Sequence, residues 1–164
     1  MGSRGMYQEL SAEPRSVPSR GKTVLVNEHP EGAEPRSVPA KGKALLVDEY
    51  PEDLQYYFNI LDAHGYRVKA CSSYQEGVRC LGDEVFDFVV VSQGTPKFEG
   101  SCVLERATEA NRGLPVLVVA RCLDMGCYLE AMQLGAVDYL VEPLTVWEVS
   151  RVLENHPTKR SMAV

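Results

Sequence analysis

Apolar and polar positions change period repeatedly along the chain. Residues 43–48, Lys-Ala-Leu-Leu-Val-Asp, are almost continuously apolar, as expected of a strand covered on both faces. Leu54, Tyr57, Phe58 and Leu61 follow at i, i+3, i+4 and i+7 behind Pro51 and acidic residues, which predicts an amphipathic helix. Tyr66–Cys71 is a second predicted strand, and Ser73 with Glu76 forms a capping box that opens a helix to about Leu81. Residues 86–91 form a third strand, stopped by Ser92-Gln-Gly-Thr-Pro96, and Ser101 starts a helix carrying Val103, Leu104 and Ala107. Residues 115–120 make a fourth strand, followed by a helix with Tyr128, Ala131, Met132 and Gly135 on one face. Residues 137–141 make a fifth, ended by Glu142-Pro143, and Thr145 with Glu148 caps a last helix bearing Val149, Val152 and Leu153. Five βα units in succession predict an α/β fold, with right-handed crossovers and a parallel sheet covered on both sides.

The first strand has a copy upstream. Residues 12–32 recur as residues 33–53 with seven differences in 21 positions, a tandem duplication too short to build a solenoid. Only the second copy runs into a helix, so residues 43–53 carry the working first strand and residues 22–27 a spare. The expected organisation is a Pro- and Ser-rich arm over 1–42, an α/β domain over 43–155 and a tail over 156–164. The spare strand is expected to add to an open sheet edge, at residues 66–71 or 137–141, more readily between chains than within one.

Composition narrows the function. With 164 residues and 45% apolar content the chain can bury one core. No apolar run approaches the roughly 20 residues that span a bilayer, which points away from a membrane and toward the cytoplasm. The net charge is −6, and the arm holds six basic and five acidic residues, leaving 11 and 18 for the remainder. Such a domain repels phosphate backbones, so nucleic acid is not an expected partner. The five cysteines contain no C-x-x-C, and Cys122 and Cys127 have no histidine nearby, so reduced thiols are expected instead of a zinc site.

Two segments carry a family resemblance. Residues 86–100, with Thr95-Pro96 and Glu99-Gly100, and Gly135-Ala-x-x-Tyr139-x-x-x-Pro143 resemble the bacterial response-regulator receiver domain over about residues 43–155. The resemblance implies a flavodoxin-like, doubly wound, five-stranded parallel sheet of order 2-1-3-4-5, here with an extra N-terminal strand, and a cis bond before Pro143. It also implies a phosphorylation pocket. In the family an acidic pair after strand 1 and the aspartate of strand 3 hold Mg²⁺, and that aspartate takes a phosphoryl group from a histidine kinase. A Thr or Ser after strand 4 senses the group and a lysine after strand 5 neutralises it.

This chain keeps the acidic pair as Asp48-Glu49 but has Ser92, Ala120 and Glu142 at the other three positions. A serine hydroxyl is neither a carboxylate nucleophile nor an anionic ligand, and Glu142 reverses a required charge. The expectation is a degenerate, non-phosphorylatable signalling module without catalysis or an obligatory cofactor, acting through a protein partner or as a homodimer. Asp48, Glu49 and Glu142 leave weak Mg²⁺ or Ca²⁺ binding open, which would make a divalent cation an alternative switch. Arg121 competes with that ion, since it can pair with Glu142 or Asp48 from within the chain. Tyr128, Tyr139 and Trp147 lie on or near the face of helix 4, strand 5 and helix 5 that receivers use to meet partners. Other chemistry is excluded by spacing: Val90 stands where a G-x-S-x-G elbow around Ser92 needs glycine, and Ser16 where a P-loop ending in Gly21-Lys22-Thr23 needs its first.

Overall fold

The structure, a computed structural model, describes residues 40–158; the spare strand at 22–27 lies outside them. Strands and helices alternate as β1 (Gly42–Val47), α1 (Pro51–Ala63), β2 (Tyr66–Cys71), α2 (Tyr74–Asp83), β3 (Phe88–Ser92), α3 (Ser101–Ala110), β4 (Val116–Ala120), α4 (Met125–Gln133), β5 (Asp138–Val141) and α5 (Val146–Asn155). All pairings are parallel and the order is β2-β1-β3-β4-β5, so β2 and β5 are the sheet's edges.

Side chains alternate through the sheet and define two packed layers. Leu45, Val47, Val89, Val91, Val116 and Val118 pack with α2, α3 and α4, while Ala44, Leu46, Phe88, Val90, Leu117 and Val119 pack with α1 and α5. Each of the Leu, Val and Phe side chains contributes about 1.5–3 kcal/mol relative to exposure. Every residue of β3 and β4 is buried, which explains their unbroken apolar runs.

Several boundaries differ from the sequence reading. β1 ends at Val47, and β3 starts at Phe88, not at residue 86, because Asp87 serves to pin β1. Its N–H donates to the Lys43 carbonyl and its carboxylate accepts the Lys43 N–H at 2.8 Å. Gly42 is required there, since an added Cβ would fall 2.6 Å from Asp87 Oδ2. α4 is capped by Asp124, whose Oδ1 accepts the Cys127 N–H at 2.9 Å, and it buries Cys127 and Ala131 while Met132 stays exposed. The expected caps at Ser73 and Thr145 are both present. The domain also runs past residue 155, because Thr158 is buried and donates to the Lys41 carbonyl at 2.8 Å. The Glu142–Pro143 bond is cis. No described helix is long and apolar enough to cross a membrane.

Candidate functional site

The C-terminal edge of the sheet collects the residues singled out by the family pattern. Asp48 follows β1 and continues its ladder, its N–H donating to the Cys71 carbonyl. Ser92 and Ala120 are the last residues of β3 and β4, and the Glu142 N–H donates to the Ala120 carbonyl at 2.8 Å. Asp48 is only 1% exposed, whereas Glu49 is exposed, as expected of adjacent residues leaving an extended strand on opposite sides.

Three carboxylates converge, and one was not legible beforehand. Asp48, Asp53 and Glu142 each offer an oxygen within 4.8 Å of the others. Asp53, in the first turn of α1, takes the place expected of Glu49. The expected pairing of Arg121 is also corrected, because its Nη2 donates to Asp53 Oδ2 at 2.6 Å instead of to Glu142 or Asp48. The guanidinium lies 3.5 Å over the ring of Tyr50, a stacking that α1's entry makes available. Glu142 is held by a different donor: Tyr57 O–H donates to its Oε1 at 2.6 Å.

These contacts set the protonation of the site. Burial pushes the Asp48 carboxyl up to about 7, opposed by the hydrogen bond from the Tyr50 N–H at 2.9 Å and reinforced by Asp53 and Glu142. The Tyr57 hydroxyl is pushed up by burial and then by its bond to Glu142, so it stays a donor. The Arg121 guanidinium is held further in its charged form, chiefly by the bond to Asp53.

Ser92 ends β3 and leads into a hydrogen-bonded loop. Its Oγ accepts the Gly94 N–H at 3.3 Å. Glu99 ties the loop by accepting from Thr95 N–H at 2.8 Å and Thr95 Oγ1–H at 2.6 Å, which holds its carboxyl low. Gly100 passes so close that an added Cβ would lie 2.1 Å from the Ser92 carbonyl oxygen, and Phe98 is buried at a φ of 55°. Burial pushes the Tyr74 hydroxyl up, so it stays protonated; the Ser92 side chain at which it is directed opposes that shift without completing a hydrogen bond of good geometry. Among the described residues the histidines sit at helix C-termini, His64 ending α1 and hydrogen-bonded to Ser150, and His156 ending α5.

The expected interface residues separate. Tyr139 is buried, with its hydroxyl donating to Gln93 Oε1 and its ring in a T-shaped contact with the half-buried Tyr128 at 5.6 Å. As it stands Tyr139 offers no surface. Trp147 is 67% exposed, with the Arg151 guanidinium 5.2 Å from its ring. Leu123, Met125, Leu129 and Val146 are exposed too, although their spacing did not single them out, as is Met132, which spacing had placed on the helix's apolar face. The signal was present as apolar positions off α4's buried stripe.

A family of this kind commonly holds Mg²⁺ at acidic residues, and the donor chemistry here fits a hard divalent cation, with Asp48, Asp53 and Glu142 as the oxygen ligands. The family model for the response regulator receiver domain matches residues 44–154. Among curated proteins the chain is 27% identical over 95 residues to the transcriptional regulatory protein ZraR of Escherichia coli K12, covering 58% of this chain and 22% of that protein. It is 30% identical over 110 residues to the transcriptional regulatory protein FixJ of Bradyrhizobium diazoefficiens, covering 64% and 54%. The chain thus spans between a fifth and about half of these relatives. A receiver domain protein from Clostridium thermocellum superimposes with a TM-score of 0.65 at 25% identity, covering 74% of this chain and 98% of that one. One from Methanospirillum hungatei JF-1 also gives 0.65, at 21% identity with 72% and 93% covered. Sequence model, relatives and strand order agree, and the chain belongs to the response regulator receiver domain family.

Proposed function

We propose that this domain is a signalling module that takes no phosphoryl group and acts through protein contact. The observation that carries the reading is the strand-end triplet of Ser92, Ala120 and Glu142, with Glu142 held by Tyr57. A dianionic phosphoryl group placed there would face carboxylates where receiver chemistry requires a cation. Incubation of the full chain with Mg²⁺ and acetyl phosphate, followed by intact mass measurement, is expected to show no acid-labile adduct. A stoichiometric adduct would overturn the reading.

The surface favoured for contact is formed by α4, the β5 edge and the start of α5. Leu129 and Trp147 are 54% and 67% exposed there, which is unusual for large apolar side chains on one side of a small domain. The arm belongs to the same proposal, with its duplicated segment 22–27 adding to an open sheet edge of a second copy. Transcription, in the names of the relatives, belongs to whole proteins that this chain covers only in part. Light scattering across a wide concentration range is expected to show a dimer that Trp147→Ala weakens. Unchanged mass in that variant removes the face from the proposal.

A further inference from the structure

The β1 slot, between β2 and β3, places strict demands on the residues that fill it. Its first position calls for glycine, since a Cβ added to Gly42 would fall 2.6 Å from Asp87 Oδ2. Lys43 follows, with its N–H on the Asp87 carboxylate and its ammonium paired with Glu84 and 5.3 Å from the centre of the Phe86 ring. Ala44, Leu45, Leu46 and Val47 are fully buried, so each must be uncharged. Val47 is tightly constrained, because Gly77 of α2 comes so close that a Cβ there would lie 2.7 Å from Val47 Cγ2. Asp48 closes the slot, buried, with its Oδ1 accepting the Tyr50 N–H at 2.9 Å.

Residues 21–27, Gly-Lys-Thr-Val-Leu-Val-Asn, meet those demands in the same frame. Gly21, Lys22, Leu25 and Val26 repeat the residues at 42, 43, 46 and 47, and a shared frame directs each side chain to the face its counterpart takes. Thr23 for Ala44 and Val24 for Leu45 make the copy the poorer fit, the first overfilling the α1 and α5 layer and the second leaving a gap in the opposite one. Asn27 for Asp48 works the other way: its amide oxygen keeps the acceptor, and no carboxylate has to be desolvated. Addition to a sheet edge asks for none of this match, because an edge strand meets neither Asp87 nor Gly77.

We propose that the β1 slot accepts either copy, residues 21–27 replacing residues 42–48 while residues 28–50 pass out as a loop and return to α1. That loop begins and ends at the same edge of the sheet, and its closure cost grows only with the logarithm of its length. The choice of copy sets the chemistry of the acid pocket. With residues 42–48 in place the pocket holds Asp48, Asp53 and Glu142; with the copy in place Asn27 stands for Asp48, and Tyr50 leaves its position beneath the Arg121 guanidinium. Three carboxylates become two without any change of covalent structure. Whichever copy fills the slot the other is left over, so the inference is independent of the edge addition proposed above.

The test is a rescue experiment in the full chain, read by circular dichroism during urea unfolding. Leu46→Asp buries a charge in the resident strand and is expected to keep a cooperative transition at a lower midpoint, because the copy fills the slot. Leu25→Asp alone is expected to keep the wild-type transition. The two substitutions together are expected to abolish it. Gly21→Val combined with Leu46→Asp is expected to abolish it as well, since the approach of Asp87 leaves no room for the added side chain. A Leu46→Asp chain with no transition overturns the proposal, as does one whose transition survives the addition of either Leu25→Asp or Gly21→Val. Loss of the transition in Leu25→Asp alone overturns it too, because the resident strand would then not suffice. The rescued midpoint is expected not to vary with protein concentration; one that rises with concentration places the copy in a second chain and overturns exchange within one.

Discussion

The acid pocket and the outer surface of α4 and α5 are finished differently. In the pocket each of the three clustered carboxylates has its own donor: the Tyr50 N–H for Asp48, Arg121 for Asp53 and Tyr57 for Glu142. On the surface Leu123, Met125, Leu129, Val146 and Trp147 are each more than half exposed. A buried polar group left unpaired costs about 1–3 kcal/mol, so the pocket must satisfy its charges from within. Exposed apolar groups cost the isolated domain far less, and they persist where a partner covers them. The comparison teaches that the pocket's charges are met from within the domain, whereas the apolar surface of the helices is left uncovered by it.

The strongest way to break this contrast is through Asp48. Burial holds its carboxyl at about 7 in the folded state, well above the ordinary aspartate range, so between the two the folded state binds more protons than the unfolded. Stability should therefore fall as pH rises from about 4 through about 7 and level off above, with the full benefit of the protonated form present only at the acid end. Asp48→Asn, measured by urea unfolding in EDTA, is expected to remove that slope and to raise stability at pH 8 by roughly 2–4 kcal/mol. The same slope in the variant would show that Asp48 is not the group responsible.

Tyr57→Phe tests the pocket from the other side. It deprives Glu142 of the Tyr57 hydroxyl donor, and a loss of about 1–2 kcal/mol is expected on denaturation. A neutral result would mean that water replaces the phenol freely. Glu142→Lys should act on protonation more than on stability, lowering the Asp48 titration by ~1 unit as followed by carboxyl-carbon NMR, since an attractive charge replaces a repulsive one. An unshifted Asp48 would show that burial alone sets its value.

The surface should give the smallest change in stability. Trp147→Ala and Leu129→Glu are expected to stay within about 0.5 kcal/mol of the wild type in unfolding while lowering the mass seen by light scattering. Large destabilisation would make these side chains part of the fold after all. Removal of residues 1–32 should likewise leave a folded domain and weaken self-association, separating the arm's contribution from that of the helices.

What the chain determined by itself was the succession of strands and helices, because apolar periodicity, Pro51 at the start of α1 and the Ser73 and Thr145 caps are local signals. The departures from the receiver pattern were legible for the same reason: Ser92 and Ala120 end strands that their own residues define, and Glu142 follows another. Tertiary structure decided the partners. Arg121 and Asp53 are 68 residues apart, and Tyr57 and Glu142 are 85 apart. No spacing rule brings them together, and Glu49 looked the better ligand until the direction of Asp48 out of β1 turned it away. Tyr139 and Trp147 show the same division. Both are aromatic and near β5, but the sheet buries the first against Gln93 and the turn into α5 leaves the second in solvent. Which side chains meet depends on how layers stack, and that is a property of the packed chain, not of any segment.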